Sequence, residues 1–296
     1  MDVVMIFNGL GNQMSQYAFY LIKKKKSAST RFIFLKKSAN VHNGYELDNV
    51  FGITKKDTIG DKLLYFIYLL ISHRKPAVVL KPVIRLFGLL GMTVVYEDDD
   101  YSFRHKLLEP SRGIRYYVGG WHSDKYFVDI KDRVLSEFRF DYSRIGAANV
   151  EILAKIKACT SVSVHVRRGD FLSPENYLKF GSVCTFDYFL SAIRKMRSLV
   201  EKPHFFFFTN DFTWVKDNFV EDDFTIVNIN IGADSWKDML LISNCLHNIC
   251  SNGSFSWWSS YLNNNENKIV IVPKNFMVNK HIPDVYPEDW IQLSDY

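Results

Sequence analysis

The sequence predicts an α/β protein made of two parallel-sheet domains. Three observations predict it. Apolar strand-length runs alternate with amphipathic helical runs through both halves of the chain. The 296 residues are long for one core and suit two. A composition 47% hydrophobic and 23% charged is globular and excludes a disordered chain. No internal repeat or low-complexity tract breaks the alternation.

Residues 3–7 (VVMIF) read as a buried first strand. Residues 9–13 (GLGNQ) read as a glycine turn, and residues 14–25 as a helix with Met14, Tyr17, Ala18, Leu21 and Ile22 at helical spacing. Residues 31–35 return as a strand, so the chain opens β-α-β. A glycine turn at that place brings backbone N–H groups toward a ligand. Lys23 to Lys26 end the helix, where cations complement its dipole; contact with anionic lipid is the other reading. The apolar run 63–71 (LLYFIYLLI) is too short to cross a bilayer, and the run 77–95 is broken by Lys81, Pro82 and Arg85. Both are expected as core helices. Flanking Lys62, Arg74, Lys75, Lys81 and Arg85 keep an interfacial role for residues 63–90 open. Residues 92–96 read as a strand entering Glu97-Asp98-Asp99-Asp100. Residues 119–127 (GGWHSDKYF) are an aromatic-polar cluster at a glycine turn, and residues 130–138 a helix. Residues 141–149 are expected as the linker, dividing the chain into residues 1–149 and 150–296.

The second half repeats the alternation: a helix at 150–157, strands at 161–166, 205–208, 224–229, 248–250 and 269–272, and helices at 186–199, 236–245 and 255–262. Its strand tips carry polar motifs. Residues 165–170 read His165-Val166-Arg167-Arg168-Gly169-Asp170, residues 209–211 Thr209-Asn210-Asp211, and residues 251–254 Ser251-Asn252-Gly253-Ser254. In an open parallel sheet such tips converge on one edge, where ligands bind. Guanidinium forks, hydroxyls and a helix N-terminus near Ser254 suit a diphosphate, and a carboxylate suits the donor edge of a base. A structural reading is open for each part. Arg167 and Arg168 could pair with Asp170, and Asp211 and Ser254 could cap helices.

The bulk numbers narrow the partners. A net charge of +5 fits an anionic ligand or membrane surface, but the basic residues are scattered and no basic-aromatic platform for nucleic acid is present. Cys159, Cys184, Cys245 and Cys250 lack CxxC spacing and are expected as buried thiols in a reducing compartment. The N-terminus shows neither the basic region nor the cleavage site of a secretory signal, so a cytoplasmic protein is expected, with peripheral contact at the inner face of the membrane.

Motifs along nearly the whole chain resemble the bacterial α-1,2-fucosyltransferase family, glycosyltransferase family 11. They are GLGNQM (9–14), WHSDKYF (121–127), HVRRGD (165–170), FFFFTND (205–211), the block from Asp238 through SNGSFSWWSSYL (251–262), and VPKNF (272–276). Two departures are visible. Gly253-Ser254 stands where the family often has Ser-Thr, which would loosen phosphate contacts. His122 stands where glutamine is common, which would alter acceptor choice.

The resemblance implies a GT-B architecture, two Rossmann-like domains facing across a cleft. It implies GDP-β-L-fucose as donor and O2 of a β-galactoside as acceptor, with inversion and no metal or other cofactor. It places Arg167 or Arg168 on the β-phosphate with Asn12 and Ser254 nearby, and His165 and Asp238 at the guanine. Asp211, Asn252 and Phe255 complete the expected donor site. Trp121, His122, Ser123 and Asp124 are expected at the acceptor, in one reading a lipid-linked glycan. For the general base Asp170, His122, Asp124, Glu175 and the donor phosphate all stand as candidates. Asp98 to Asp100 admit a different architecture, GT-A, in which an Asp-x-Asp pair holds a metal on the diphosphate; the two arginines would then be redundant. A non-catalytic sugar- or nucleotide-binding module, and a transferase using another nucleotide sugar, are the rival readings of function.

Overall fold

The computed structural model describes residues 1–35, 43–72, 81–98 and 100–294. It divides into two units, Met1–Arg139 and Phe140–Tyr296. The first unit runs β1 (Asp2–Ile6), α1 (Leu10–Lys26), β2 (Arg31–Phe34), α2 (Glu46–Phe51), α3 (Ile59–Ile71), α4 (Lys81–Leu89), β3 (Met92–Tyr96), β4 (Ile114–Val118) and α5 (Lys131–Glu137). Its sheet has the order β2-β1-β4-β3, with every pairing parallel. The order changes direction between β1 and β4, and the crevice outside their C-terminal ends is where such sheets bind ligands.

Three local readings change here. Helix α1 begins at Leu10, so Gly11, Asn12 and Gln13 lie in its first turn rather than in a glycine loop. The turn is shorter because Asn8 takes φ 64° and Gln13 N–H already donates to Gly9 O at 3.1 Å. The central strand β4 is a further element, one that Arg115 and two tyrosines disguise in the sequence; Tyr116 and Tyr117 are wholly buried. Lys23 is a core residue and not a lipid contact. Its ammonium meets Asp2 at 2.9 Å, the carbonyls of Leu107 and Glu109 at 2.8 Å, and the Tyr117 hydroxyl at 3.1 Å.

Helix α3 starts on a capping box, Thr58 with Asp61, and packs Leu64, Ile67 and Tyr68 onto Val3, Met5 and Tyr116 of the sheet. Helix α4 buries no residue, so the expectation of a core helix fails there. Parts of that run and its flanks, including Arg74 and Lys75, lie outside the described residues. No helix among the described residues is long and apolar enough to cross a membrane.

The second unit runs α6 (Ala147–Lys157), β5 (Thr160–Val166), the short α7 (Pro174–Asn176), α8 (Phe186–Leu199), β6 (Pro203–Thr209), α9 (Phe212–Asn218), β7 (Phe224–Val227), α10 (Trp236–Ser243), β8 (His247–Ile249), α11 (Ser254–Tyr261) and β9 (Val270–Pro273). A small β10–β11 hairpin (Asn275–Met277, Lys280–His281) and β12 (Ile291–Leu293) close it. The expected linker falls inside this unit, and a division after Asn149 would cut α6. Asn149 is buried there and donates to Ile145 O at 2.9 Å.

The main sheet has the order β12-β9-β8-β5-β6-β7, again parallel throughout. Its order changes direction between β5 and β8. The alternation of β5 explains what faces where. Val162, Val164 and Val166 join Phe205, Phe207, Ile249 and Ile271 in a core with Tyr188, Phe189, Ile193 and Met196 of α8. Each such side chain contributes about 1.5–3 kcal/mol by leaving water. Ser161, Ser163 and His165 point to the opposite face. Ser163 there accepts from Asn248 Nδ2 at 2.7 Å. Cys184, Cys245 and Cys250 are buried free thiols, while Cys159 is half-buried.

Candidate active site

The polar strand tips of the second unit meet where its sheet changes direction. His165, last but one on β5, turns its Nδ1 to the hydroxyls of Ser251 (3.0 Å) and Ser256 (3.1 Å), which follow β8. Burial, helped by the Arg167 charge, pushes its pKa down to about 3, so the ring is neutral. The Phe255 ring lies 5.3 Å away.

The two arginines diverge. Arg167 forks onto Asp170, Nε to Oδ1 at 3.1 Å and Nη2 to Oδ2 at 2.7 Å, and stacks over Phe171 at 4.6 Å. Its third nitrogen, Nη1, lies beside Gly253, 3.6 Å from where a Cβ would stand. Gly253 caps α11 without a side-chain hydrogen bond, and the first turn carries no acidic residue. Arg167 therefore presents a donor beside a helix N-terminus that has no side-chain cap, which attracts anions. Ser254 opens that helix and is 8% exposed.

Arg168 leans the other way. Its Nε pairs with Asp211 at 3.0 Å and its guanidinium lies 4.2 Å over Trp214. Asp211 also caps α9 by accepting from Trp214 N–H. The structural reading of Asp211 as a cap thus holds. Asn252, expected at the donor, is 1% exposed and turns inward, donating to the carbonyls of Phe180 and Phe276. Through these bonds it braces the loop.

Asn210 and Ser251 stand among the polar strand tips read from the sequence, but their supporting roles, and Ser256 altogether, were missed. Asn210 Oδ1 accepts from the N–H groups of Arg168 (2.9 Å) and Gly169 (3.2 Å), pinning the arginine loop. A Cβ on Gly169 would meet Asn210 Nδ2 at 2.6 Å, so a larger residue there would have to displace the amide that pins the loop. Ser251 and Ser256 fix the His165 ring; a histidine ending one strand and hydroxyls following its neighbour are the signal that could have found them. Asp238 sits in a separate network, accepting from Asn230 (2.7 Å), which also exchanges hydrogen bonds with Asn149. Burial raises its pKa to about 7 against the Asn230 hydrogen bond.

A second polar cluster lies in the first unit, at the tips of β1 and β4. Gln16 bridges them, accepting from Phe7 N–H (2.9 Å) and donating to Gly119 O (3.0 Å). His122 Nδ1 meets Ser15 Oγ at 3.1 Å, and burial lowers its pKa to about 4. Glu97 accepts from the N–H groups of Gly120 and Trp121, and burial raises its pKa to about 7. Asn12, half-buried, is in the first turn of α1 beside this cluster's Gln13. Asp124 opens the turn Asp124–Tyr126. Trp121 and Ser123, expected at the acceptor, are both wholly buried, and Trp121 stacks on Phe19 at 4.5 Å. Ser15 and Gln16 were missed, although polar side chains within an apolar helical stripe were a visible signal; Gln13 was read only as part of the turn.

The acidic run after β3 is engaged by the chain itself. Asp98 pairs with Arg104, and Asp100 accepts from Ser102 N–H (3.1 Å) and Oγ (2.9 Å). Asp99 lies outside the described residues.

Comparison with known proteins gives this α/β chain its class. The model of Glycosyl transferase family 11 matches residues 96–294. The chain belongs to that family. It is 28% identical to an Escherichia coli alpha-1,2-colitosyltransferase over 99% of this chain and 98% of that one. It is 28% identical to the Escherichia coli O-antigen biosynthesis glycosyltransferase WbnK over 96% and 98%. The human galactoside alpha-(1,2)-fucosyltransferase 1 is 32% identical over 46% of this chain and 40% of its own. Among solved structures, fucosyltransferase NodZ from Bradyrhizobium shares the fold, with a TM-score of 0.53, 14% identity, and 88% and 90% of the two chains covered.

Proposed function

We propose that this family 11 glycosyltransferase moves L-fucose from GDP-β-L-fucose to O2 of a β-galactoside, with inversion, in the synthesis of O-antigen or another surface polysaccharide. The observation that carries the reading is Arg167 Nη1 beside the N-terminus of α11, which has no side-chain cap, where the second sheet changes direction. The whole-length similarity to two bacterial O2-type or O-antigen enzymes supports the reaction class. In a GT-B arrangement the second unit holds the donor and the first the acceptor, and the reaction belongs to the cytoplasm.

As the sugar leaves, negative charge grows on the β-phosphate. Arg167 and the first-turn N–H groups of α11 stabilise that charge, and only the charge added on the way to the transition state counts toward rate. Unit charges at about 4 Å interact by about 4 kcal/mol at an effective dielectric of 20, so the differential share of one arginine is about 2–4 kcal/mol. Asp170 aims Arg167 through its two-point contact, which ties up both of its oxygens. Neutral His165 offers Nε2 to the nucleotide. Ionised Asp238 would accept from guanine N1–H and N2–H. In the first unit burial keeps His122 neutral but makes it a weak base, so the acceptor proton is assigned to Asp124, Glu175 or the donor phosphate before it. No step uses a metal.

A second reading keeps the site and changes the sugar: the colitosyltransferase relative favours a colitose donor. Incubating the protein with lactose and either GDP-fucose or GDP-colitose separates the two. Release of GDP and a deoxyhexose-sized mass gain with GDP-fucose support the first reading. Turnover with GDP-colitose alone moves the proposal to the second, and no turnover with any nucleotide sugar leaves a binding module.

A further inference from the structure

Helices α3 and α4 pack on the same face of the first sheet, because Leu64, Ile67 and Tyr68 of one and Phe87 of the other meet the Val3–Met5–Tyr116 core. Their outer faces therefore point the same way, away from the sheet. Those faces are apolar. On α3, Ile59, Leu63 and Phe66 recur at helical spacing and are 88%, 59% and 58% exposed. On α4, Leu86 and Leu89 are 54% and 80% exposed, and Leu90 follows at 60%. A water-facing helical surface is ordinarily polar, and a contiguous apolar one marks a binding face.

The exposed charges on the two helices themselves are of one sign. Lys62, Lys81 and Arg85 are exposed among the apolar residues. The only acid on either helix, Asp61, is buried under Arg31 and Lys55. From Lys62 to Tyr96 the sequence contains no Asp or Glu at all. Exposed apolar side chains interspersed with cations complement a surface that is greasy below and anionic above.

We infer that the outer face of α3 and α4 docks on an anionic phospholipid bilayer, Ile59, Leu63, Phe66, Leu86 and Leu89 entering the acyl boundary and Lys62, Lys81 and Arg85 meeting lipid phosphates. Amphipathic helices of this kind lie in the membrane plane with the apolar face buried about 5–10 Å. Each surface cation adds roughly fivefold to binding at low salt.

Co-sedimentation of the whole chain with vesicles tests this. Vesicles of phosphatidylcholine with phosphatidylglycerol should carry the protein down, pure phosphatidylcholine should carry much less, and added salt should weaken the binding. Leu63→Asn/Phe66→Asn/Leu86→Asn should lower the affinity at least about tenfold, each side chain being worth about 1.5–3 kcal/mol of burial. Lys62→Glu/Lys81→Glu/Arg85→Glu should lower it too. Both variants alter exposed residues, so unchanged melting temperatures are expected and verify folding. The inference is overturned if the protein stays in the supernatant, if neutral and anionic vesicles bind equally, or if the folded variants bind like the parent. It is also overturned if the parent is a dimer that the asparagine variant dissociates without any lipid binding, since a second copy then covers the face.

Discussion

Arg167 and Arg168 are adjacent, identical in chemistry and opposite in surroundings. One guanidinium faces the tip of β8 and α11, and the other is held at the tip of β6 by Asp211 and Trp214. The sequence showed the pair, but the pair alone could not be ordered. What orders it is the strand sequence of the sheet, which depends on contacts far apart along the chain. Arg167→Ala should lower kcat by roughly 30- to 1,000-fold, the equivalent of about 2–4 kcal/mol. Arg167→Lys should recover only part of this, since it keeps the charge but not the fork. Arg168→Ala should cost less turnover and more thermal stability. Steady-state fucose transfer and melting curves on the three variants check the order. A kcat loss larger for Arg168 than for Arg167 would reverse the assignment.

At the scale of elements, the alternation of β5 was readable, and it delivers valines to one face and His165 to the other. Helix boundaries were less readable because they depend on single hydrogen bonds. Gln13 pulls the start of α1 forward through Asn8 and Gly44 carbonyls, which no periodicity reports. Asp238 belongs to this scale, since Asn230 ties α10 to α6 through Asn149. Burial holds its carboxyl at about 7, above the ordinary 3.8. The native state then binds more protons than the unfolded chain between those values, so this group makes stability fall as pH rises from about 4 to about 7. Asp238→Asn removes that dependence. The melting temperature of the variant relative to the parent should therefore be higher at pH 8 than at pH 5. If guanine binds there, parent affinity for GDP should also strengthen as pH rises through about 7, and the variant should lose that trend. Calorimetry at both pH values reads the two effects together, and a flat difference in melting temperature contradicts the buried carboxyl.

For the molecule as a whole, the sequence carried the two-sheet plan and the polar strand tips of the second half. Trp121 shows why the rest was harder. An aromatic beside glycines and polar residues resembles a sugar platform, yet at φ 53° its ring turns inward onto Phe19. The exposed face of α3 and α4 shows the converse, apolar side chains that suggested core and lie outside it while Leu64, Ile67 and Tyr68 of the same run are buried. Neither outcome is encoded in local pattern, because each depends on which surface the tertiary packing leaves uncovered. The central claim is simpler than either: guanidinium and helix N-terminus together neutralise a departing diphosphate. A crystal structure of the whole chain with GDP tests it most directly. The account predicts the β-phosphate within hydrogen-bonding reach of Arg167 Nη1 and the first-turn N–H groups of α11. A diphosphate bound elsewhere, with Arg167 still forked onto Asp170 and touching no phosphate oxygen, would contradict it.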